Sequence, residues 1–291
     1  MADVRHERRL PSRDRVQRGL ESLIREHRIT IAVVFPLVGA VTLVASAEGL
    51  LPEPLAFNAL LILFGTLVMR SPVVVGVLPR VDRRAVLALL VLCGYTWAIE
   101  YVGVRTGWPY GTFEYGVALG PMLGGAVPVA LPLFFVPLVV NAYLLSIASL
   151  GRWAERRLAR LPLAIALVVV IDVVLDPAAV AIGFWAFDPP GAFYGVPLSN
   201  YLGWILSATV GVLLLELAFD WRGLERRLAE CPFVLDDFVS FVLLWGGVNL
   251  LYGNWLPALA AGILGLLLVR TGPVESALPE PVRRLRRVVE P

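Results

Sequence analysis

The chain has 291 residues, 58% of them hydrophobic, with a mean hydropathy of +0.77. That composition excludes an ordinary soluble domain and predicts an all-α, polytopic transmembrane helical bundle. The formal net charge of +2 points to no nucleic acid, and two cysteines with two histidines (His6 and His27, both in the polar N-terminal arm) give no metal site and no Ser/His relay. All 25 basic residues are arginine, so a lysine Schiff base to retinal is also excluded.

Residues 1–28 read as a basic cytoplasmic arm. Within it Val16, Leu20, Leu23, Ile24 and His27 recur at helical spacing, which predicts an amphipathic helix lying on the membrane surface. Residues 29–270 read as one transmembrane domain that carries the chemistry. Spans are predicted at 29–48, 55–70, 85–104, 127–150, 162–184, 199–219, 235–252 and 255–270. Eight is the expected count. Seven is the alternative, because the narrow turn between the last two segments could make a re-entrant hairpin. Residues 271–291 form an arginine-rich cytoplasmic tail whose 283-RRLRR-287 run suits anionic headgroups.

The arginines support this order. With the N-terminus inside, the inner segments hold eight (Arg5 to Arg28), four (Arg70 to Arg84), four (Arg152 to Arg160), three (Arg222 to Arg227) and five (Arg270 to Arg287), leaving Arg105 alone outside. Positive charge inside then predicts both termini in the cytoplasm and a multi-pass protein of the cell membrane. Trp108, Trp185 and Trp255 fall at the expected outer boundary, Trp153 and Trp221 at the inner one.

Ionisable groups inside spans are costly and mark functional sites by default. Glu100 lies in the outer half of the third span. Asp172 and Asp176 stand four residues apart on the fifth, on one helix face, with Pro177 directly after them to kink the helix and free backbone carbonyls. Asn141 lies in the fourth span. Glu216, near the inner end of the sixth, is expected to meet an inner arginine. Asp236 and Asp237 read as a solvated pair at the inner boundary, and Arg105 as a possible ion-pair partner that would neutralise Glu100.

Two outer loops resemble each other. Deleting Glu114 aligns 109-PYGTFEYGVAL-119 with 189-PPGAFYGVPL-198; each follows a tryptophan (Trp108, Trp185) and a span bearing a carboxylate. This predicts an internal parallel repeat. Carboxyl groups in an apolar pocket favour the protonated form, and a neutral carboxylic acid is a general acid. A second carboxylate with Asn141 or Asn200 can hold a water, and the faces of Trp108, Tyr110, Phe113, Tyr115, Trp185, Phe193 and Tyr194 can line a pocket and stabilise a cation without trapping it. Such a set suits protonation of an isoprenoid double bond. The catalytic candidates are Asp176 first, then Glu100 and Asp172; no metal or cofactor is expected.

The runs 29-ITIAVVFPLVGAVTLVASAEGLLP-52, 100-EYVGVRTGWPYGTFEYG-116, 172-DVVLDPAAVAIGFW-185 and 193-FYGVPLSNYLGW-204 resemble the carotenoid hydratase family of integral membrane proteins. The resemblance covers most of residues 29–270. It implies cofactor-free addition of water to the terminal dimethyl-substituted double bond of an acyclic carotenoid end, at both ends of the pigment in bacterioruberin formation. The expected partners are then the carotenoid, the lipid bilayer and other membrane enzymes of the same pathway. Three other readings compete. An intramembrane prenyltransferase would use 172-DVVLD-176 as a diphosphate motif but needs two such motifs. A carotenoid cyclase or isomerase would start with the same protonation, and a transporter or pigment-binding scaffold would leave the pigment mass unchanged.

Overall fold

A computed structural model describes residues 13–271. The readings of His6, of the start of the arm and of the tail with its 283–287 run lie outside the described residues. Ten α-helices dominate what is described: α1 Arg13–Glu26, α2 Phe35–Ala47, α3 Ala59–Val77, α4 Arg83–Thr106, α5 Leu131–Leu150, α6 Arg157–Ala181, α7 Leu198–Ala218, α8 Trp221–Glu230, α9 Asp236–Leu251 and α10 Trp255–Arg270. A turn of wider π-helical geometry, Thr30–Val34, leads into α2. The chain is therefore an all-α helical bundle.

Local chemistry explains where these helices begin and end. Asn58 caps α3 by accepting from the Leu60 and Leu61 amides at 3.0 and 3.1 Å, and Asp82 caps α4 by accepting from Ala85 N at 2.8 Å. Gly107, at φ 74°, ends α4 in the left-handed conformation that a side chain would disfavour. Six helical stretches (Thr30–Ala47, Ala59–Arg80, Arg83–Thr106, Leu131–Glu155, Arg157–Ala181 and Leu198–Ala218) are long and apolar enough to cross a membrane. Helices α9 and α10 have 16 residues each and pack against each other. Each is short for a hydrocarbon core of about 30 Å.

Three expectations are corrected. The second span does not stop at residue 70: α3 runs on through Pro72 to Val77. Arg70 is thus buried inside the bundle rather than in an inner loop, and its Nη1 donates to Asp237 Oδ1 at 2.7 Å. Asp236 and Asp237 are not solvated. Asp237 is fully buried and also accepts from Asn141 Nδ2 at 2.5 Å, while Asp236 pairs with Arg28 at 2.5 Å. These bonds tie α3, α5 and the segment before α2 to the start of α9. The 222–227 arginine segment is a short amphipathic helix, α8, whose Arg227 is buried and donates to Gly76 O at 2.6 Å and to Glu21 at 2.6 Å. Helix α1 forms near where the spacing placed it and packs on α3, with Gln17 Nε2 donating to Val75 O at 3.0 Å.

Helix α6 runs through the middle of the bundle, packed on α5, α7, α9 and α10. Near one end Arg160 is fully buried and meets Glu216 of α7 at 2.6 Å, where Tyr143 of α5 also donates to Glu216 at 2.5 Å. The inner arginine expected beside Glu216 is therefore Arg160, joined by Arg157 at 3.0 Å. The other end of α6 carries Asp172, Asp176 and Pro177.

Candidate active site

Two connections that follow α4 and α6 build the roof of a cavity. Strand β1, Phe113–Tyr115, pairs antiparallel with the strand Trp185–Phe187, matching Phe113 to Phe187 and Tyr115 to Trp185. The ladder is extended by Gly116 N donating to Phe184 O and by Asp188 N donating to Thr112 O, each at 2.9 Å. The two loops that the sequence alignment pairs meet through these strands, and not through the segments 113–115 and 193–194 that the alignment superposes. Tyr110 anchors the roof to the bundle. Its ring lies between Gly103 of α4 and Gly203 of α7, where an added Cβ would approach it at 3.0 and 2.6 Å. Its hydroxyl is 2.6 Å from Ser207 Oγ, which in turn is 3.0 Å from Tyr95 OH.

Beneath the roof lies an apolar cavity of about 120 Å³. Glu100, Asp176 and Asn200 reach its wall from α4, α6 and α7, and Tyr110, Phe113, Tyr115, Trp185 and Phe187 reach it from the roof. Asn200 is nearly inaccessible, and its single Nδ2 donates to Asp172 Oδ2 at 2.9 Å and to Asp176 Oδ2 at 2.5 Å. One helical turn puts the two aspartates on the same face of α6, and the first turn of α7 carries the asparagine that bridges them. Asp172 Oδ1 is buried with no hydrogen-bond partner among the described residues. Glu100 accepts from the Tyr115 hydroxyl. Burial, and then the charge of Glu100, push the Tyr115 phenol up, so it stays protonated and donates.

Arg105 does not neutralise Glu100. Its Nη2 donates to Gly124 O at 3.2 Å and its guanidinium lies 5.3 Å from the centre of the Tyr101 ring. Among the described residues, Glu100, Asp172 and Asp176 form no ion pair. They are instead held by neutral donors, Tyr115 and Asn200.

Several expected residues stand elsewhere. Asn141 does not line the cavity, because its amide is taken by Asp237. Trp108 is 59% exposed and does not line the cavity. Phe193 and Tyr194 pack edge-to-face on each other at 4.9 Å, Phe193 also packs on Tyr201, and the Tyr194 hydroxyl accepts from Leu256 N, so they buttress the second loop rather than line the cavity. Trp185, expected both at the membrane boundary and in the pocket wall, lines the cavity.

Other wall residues carry no local sequence signal. Phe135 of α5 stacks on Trp204 of α7 at 5.0 Å and 19°, and Phe184 meets Trp245 of α9 edge-on at 6.0 Å. Each lies in an apolar run where an aromatic residue is unremarkable. Asn249 and Asn254 were also invisible. Their amides donate to the Val174 and Pro177 carbonyls at 2.7 and 3.2 Å, tying α9 and the start of α10 to the stretch of α6 that carries Asp176.

Residues 57–268 match the carotenoid biosynthesis protein family. A bisanhydrobacterioruberin hydratase from Haloarcula japonica is 60% identical over 269 residues, which is 92% of this chain and 91% of that protein. No solved structure matches the chain.

Proposed function

Because this chain belongs to the carotenoid biosynthesis protein family, we propose that it is a carotenoid hydratase that converts bisanhydrobacterioruberin to bacterioruberin. The observation that carries the reading is the pairing of three buried carboxyl groups with an aromatic, apolar cavity. The hydratase from Haloarcula japonica, similar over nearly the whole of both chains, supports the same reaction.

The mechanism follows from the donors. Asp172 and Asp176 are side by side on the bridging amide of Asn200 with no cation bonded to them, and two carboxyl groups so placed are most stable sharing one proton. Asp176, which faces the cavity, delivers that proton to the hydrogen-bearing carbon of the terminal double bond. The positive charge then lies on the dimethyl carbon as a tertiary cation, which the ring faces of Tyr110, Phe113 and Trp204 stabilise without bonding to it. A water held by Glu100 adds its oxygen to that carbon and passes a proton to a carboxylate. The proton then returns to the aspartate pair, so the net change is one water added and no electron transferred. A reaction of this balance needs no cofactor.

The domain from 29 to 270 holds the whole site in this reading, with residues 1–28 and 271–291 as cytoplasmic flanks. The protein would lie in the cell membrane with both termini in the cytoplasm and eight crossings, α9 and α10 included, and with the two loop-bearing units as a parallel repeat. The pigment and the bilayer are its partners, with other membrane enzymes of the pathway supplying the anhydro carotenoid.

The test is expression in a host that makes the anhydro pigment, followed by mass spectrometry. The wild type should add the mass of one water at each reactive end. Asp176→Asn and Glu100→Gln should each lower the rate by about 10²- to 10⁴-fold. If both variants, folded and inserted, hydrate the pigment at the wild-type rate, the residue assignment is wrong. An unchanged pigment mass with the wild type would instead favour the cyclase, scaffold or transport readings.

A further inference from the structure

A second cavity, of about 380 Å³, lies between α2, α3 and α9. It shares Arg70, Phe134, Phe184, Phe241 and Trp245 with the cavity that holds Glu100 and Asp176, so the two spaces meet at one wall. Its other lining is mostly aliphatic and aromatic. At its far side Val38 and Thr42 of α2 and Leu61 and Phe64 of α3 form an opening, and Val38, Leu61 and Phe64 are each more than half exposed on the outer surface of the bundle. Phe35 and Phe64 meet across the gap at 6.4 Å. Gly65 faces the same space, and a Cβ built on it meets nothing within 4 Å.

We propose that this second cavity holds the polyene stem of the pigment whose end group lies beside Asp176, and that the gap between α2 and α3 is its path in from the bilayer. The inference rests on the hydratase reading for the identity of the occupant. An end group bound in a site of about 120 Å³ must be attached to a long rigid chain, and that chain needs an apolar exit. The second cavity is contiguous with the site, has flat aromatic faces at the shared wall and opens where the helices present apolar side chains outward. The wall also carries a fixed polar mark. Arg70 is held there by Asp237, which is held in turn by Asn141, so the waist of the path is built from three helices and does not depend on the roof loops. An enzyme built this way takes a long substrate one end at a time, leaving the distal end in lipid.

The test narrows the second cavity from opposite sides. Gly65→Phe fills it from α3, and Thr42→Trp fills it from α2, where the native hydroxyl only bonds to its own helix. Gly94→Phe, on α4 away from both cavities and also with open space at its Cβ, is the control. Kinetics on the full-length pigment in vesicles are read together with the visible absorbance of pigment retained on the purified protein. Gly65→Phe and Thr42→Trp should each lose about 100-fold in kcat/KM and should shed the bound pigment, whereas Gly94→Phe keeps both. Two cavity-filling variants that hydrate and retain pigment like the control would overturn the path. So would phospholipid retained by the wild type and displaced by Gly65→Phe without any change in hydration. If the wild type retains pigment but adds no water, the hydratase reading falls alone, and the loss of pigment in Gly65→Phe still decides the binding path.

Discussion

Asn200 is the residue on which the proposed acid pair depends. One amide nitrogen serves both Asp172 and Asp176, so its removal leaves two buried carboxyls without a shared donor. A hydrogen bond to such groups is worth about 1.5–3 kcal/mol, and each 1.4 kcal/mol is about tenfold. Asn200→Leu, which keeps the volume, should therefore lower hydration by about 10- to 100-fold while the protein stays folded, as read by pigment turnover per folded molecule. Arg105 provides the opposite expectation. Since it bonds to the Gly124 carbonyl and lies by Tyr101, Arg105→Gln should change turnover by no more than about twofold, the usual reach of a surface substitution. A large loss there would return Arg105 to the neighbourhood of Glu100. The acids themselves were legible in the sequence, because a carboxylate inside an apolar run has few structural reasons to be there. Their partners were less so. Tyr115 was named as a wall residue and Asn200 as a holder of the water, but no spacing rule says that a loop tyrosine reaches Glu100 or that a helix start reaches back to both aspartates.

At the scale of elements, α6 and α7 are joined at both ends, by Asn200 at the site and by Glu216 with Arg160 away from it. The second junction is structural. Glu216→Gln would leave the fully buried Arg160 guanidinium without its counter-charge, and breaking a buried pair in this way costs about 3–5 kcal/mol. Unfolding in detergent should show that loss, and turnover per folded molecule should not change. The packing of α4 on α7 through Tyr110 is the complementary case. Gly203→Ala would drive a methyl to 2.6 Å from the Tyr110 ring, an overpacking that costs about 1–3 kcal/mol and displaces a wall residue. Both stability and turnover should fall, and Tyr110→Leu should restore part of the stability but none of the turnover. Helix positions were readable from apolar runs to within a few residues. The exceptions have physical causes: Arg70 looked like a boundary charge, although the apolar run resumes after Pro72 and α3 carries Arg70 inward to Asp237, and α8 was hidden because its amphipathic arginines look like an ordinary charged loop.

For the whole molecule, the proposed topology has eight crossings. Six helical stretches have the length to span, and α9 with α10 would complete eight only if a pair of 16-residue helices crosses fully. A single cysteine placed at Glu114, Trp255 or Thr271, in a background lacking Cys93 and Cys231, separates the cases by labelling from either side, Trp255 being exposed at the turn between α9 and α10. Eight crossings predict labelling of Glu114→Cys and Trp255→Cys from outside only, and of Thr271→Cys from inside only. A Trp255→Cys variant that is not labelled from outside would contradict the proposed topology.

Hydropathy by itself determined the class of this protein and the approximate limits of its helices, and it singled out Glu100, Asp172 and Asp176 as candidates, because the bilayer penalises every exception to apolarity. It could not determine which polar groups meet. Arg70 and Asp237 are 167 positions apart, Arg28 and Asp236 208, and Asn200 and Asp172 28. Charges that read as boundary markers turned out to be buried and paired, since a helix can carry an arginine inward when another helix brings the carboxylate. The two contiguous cavities are likewise a product of packing: α2, α3 and α9 supply one and α4 to α7 with the roof supply most of the other, and no local pattern in any of them records the space between.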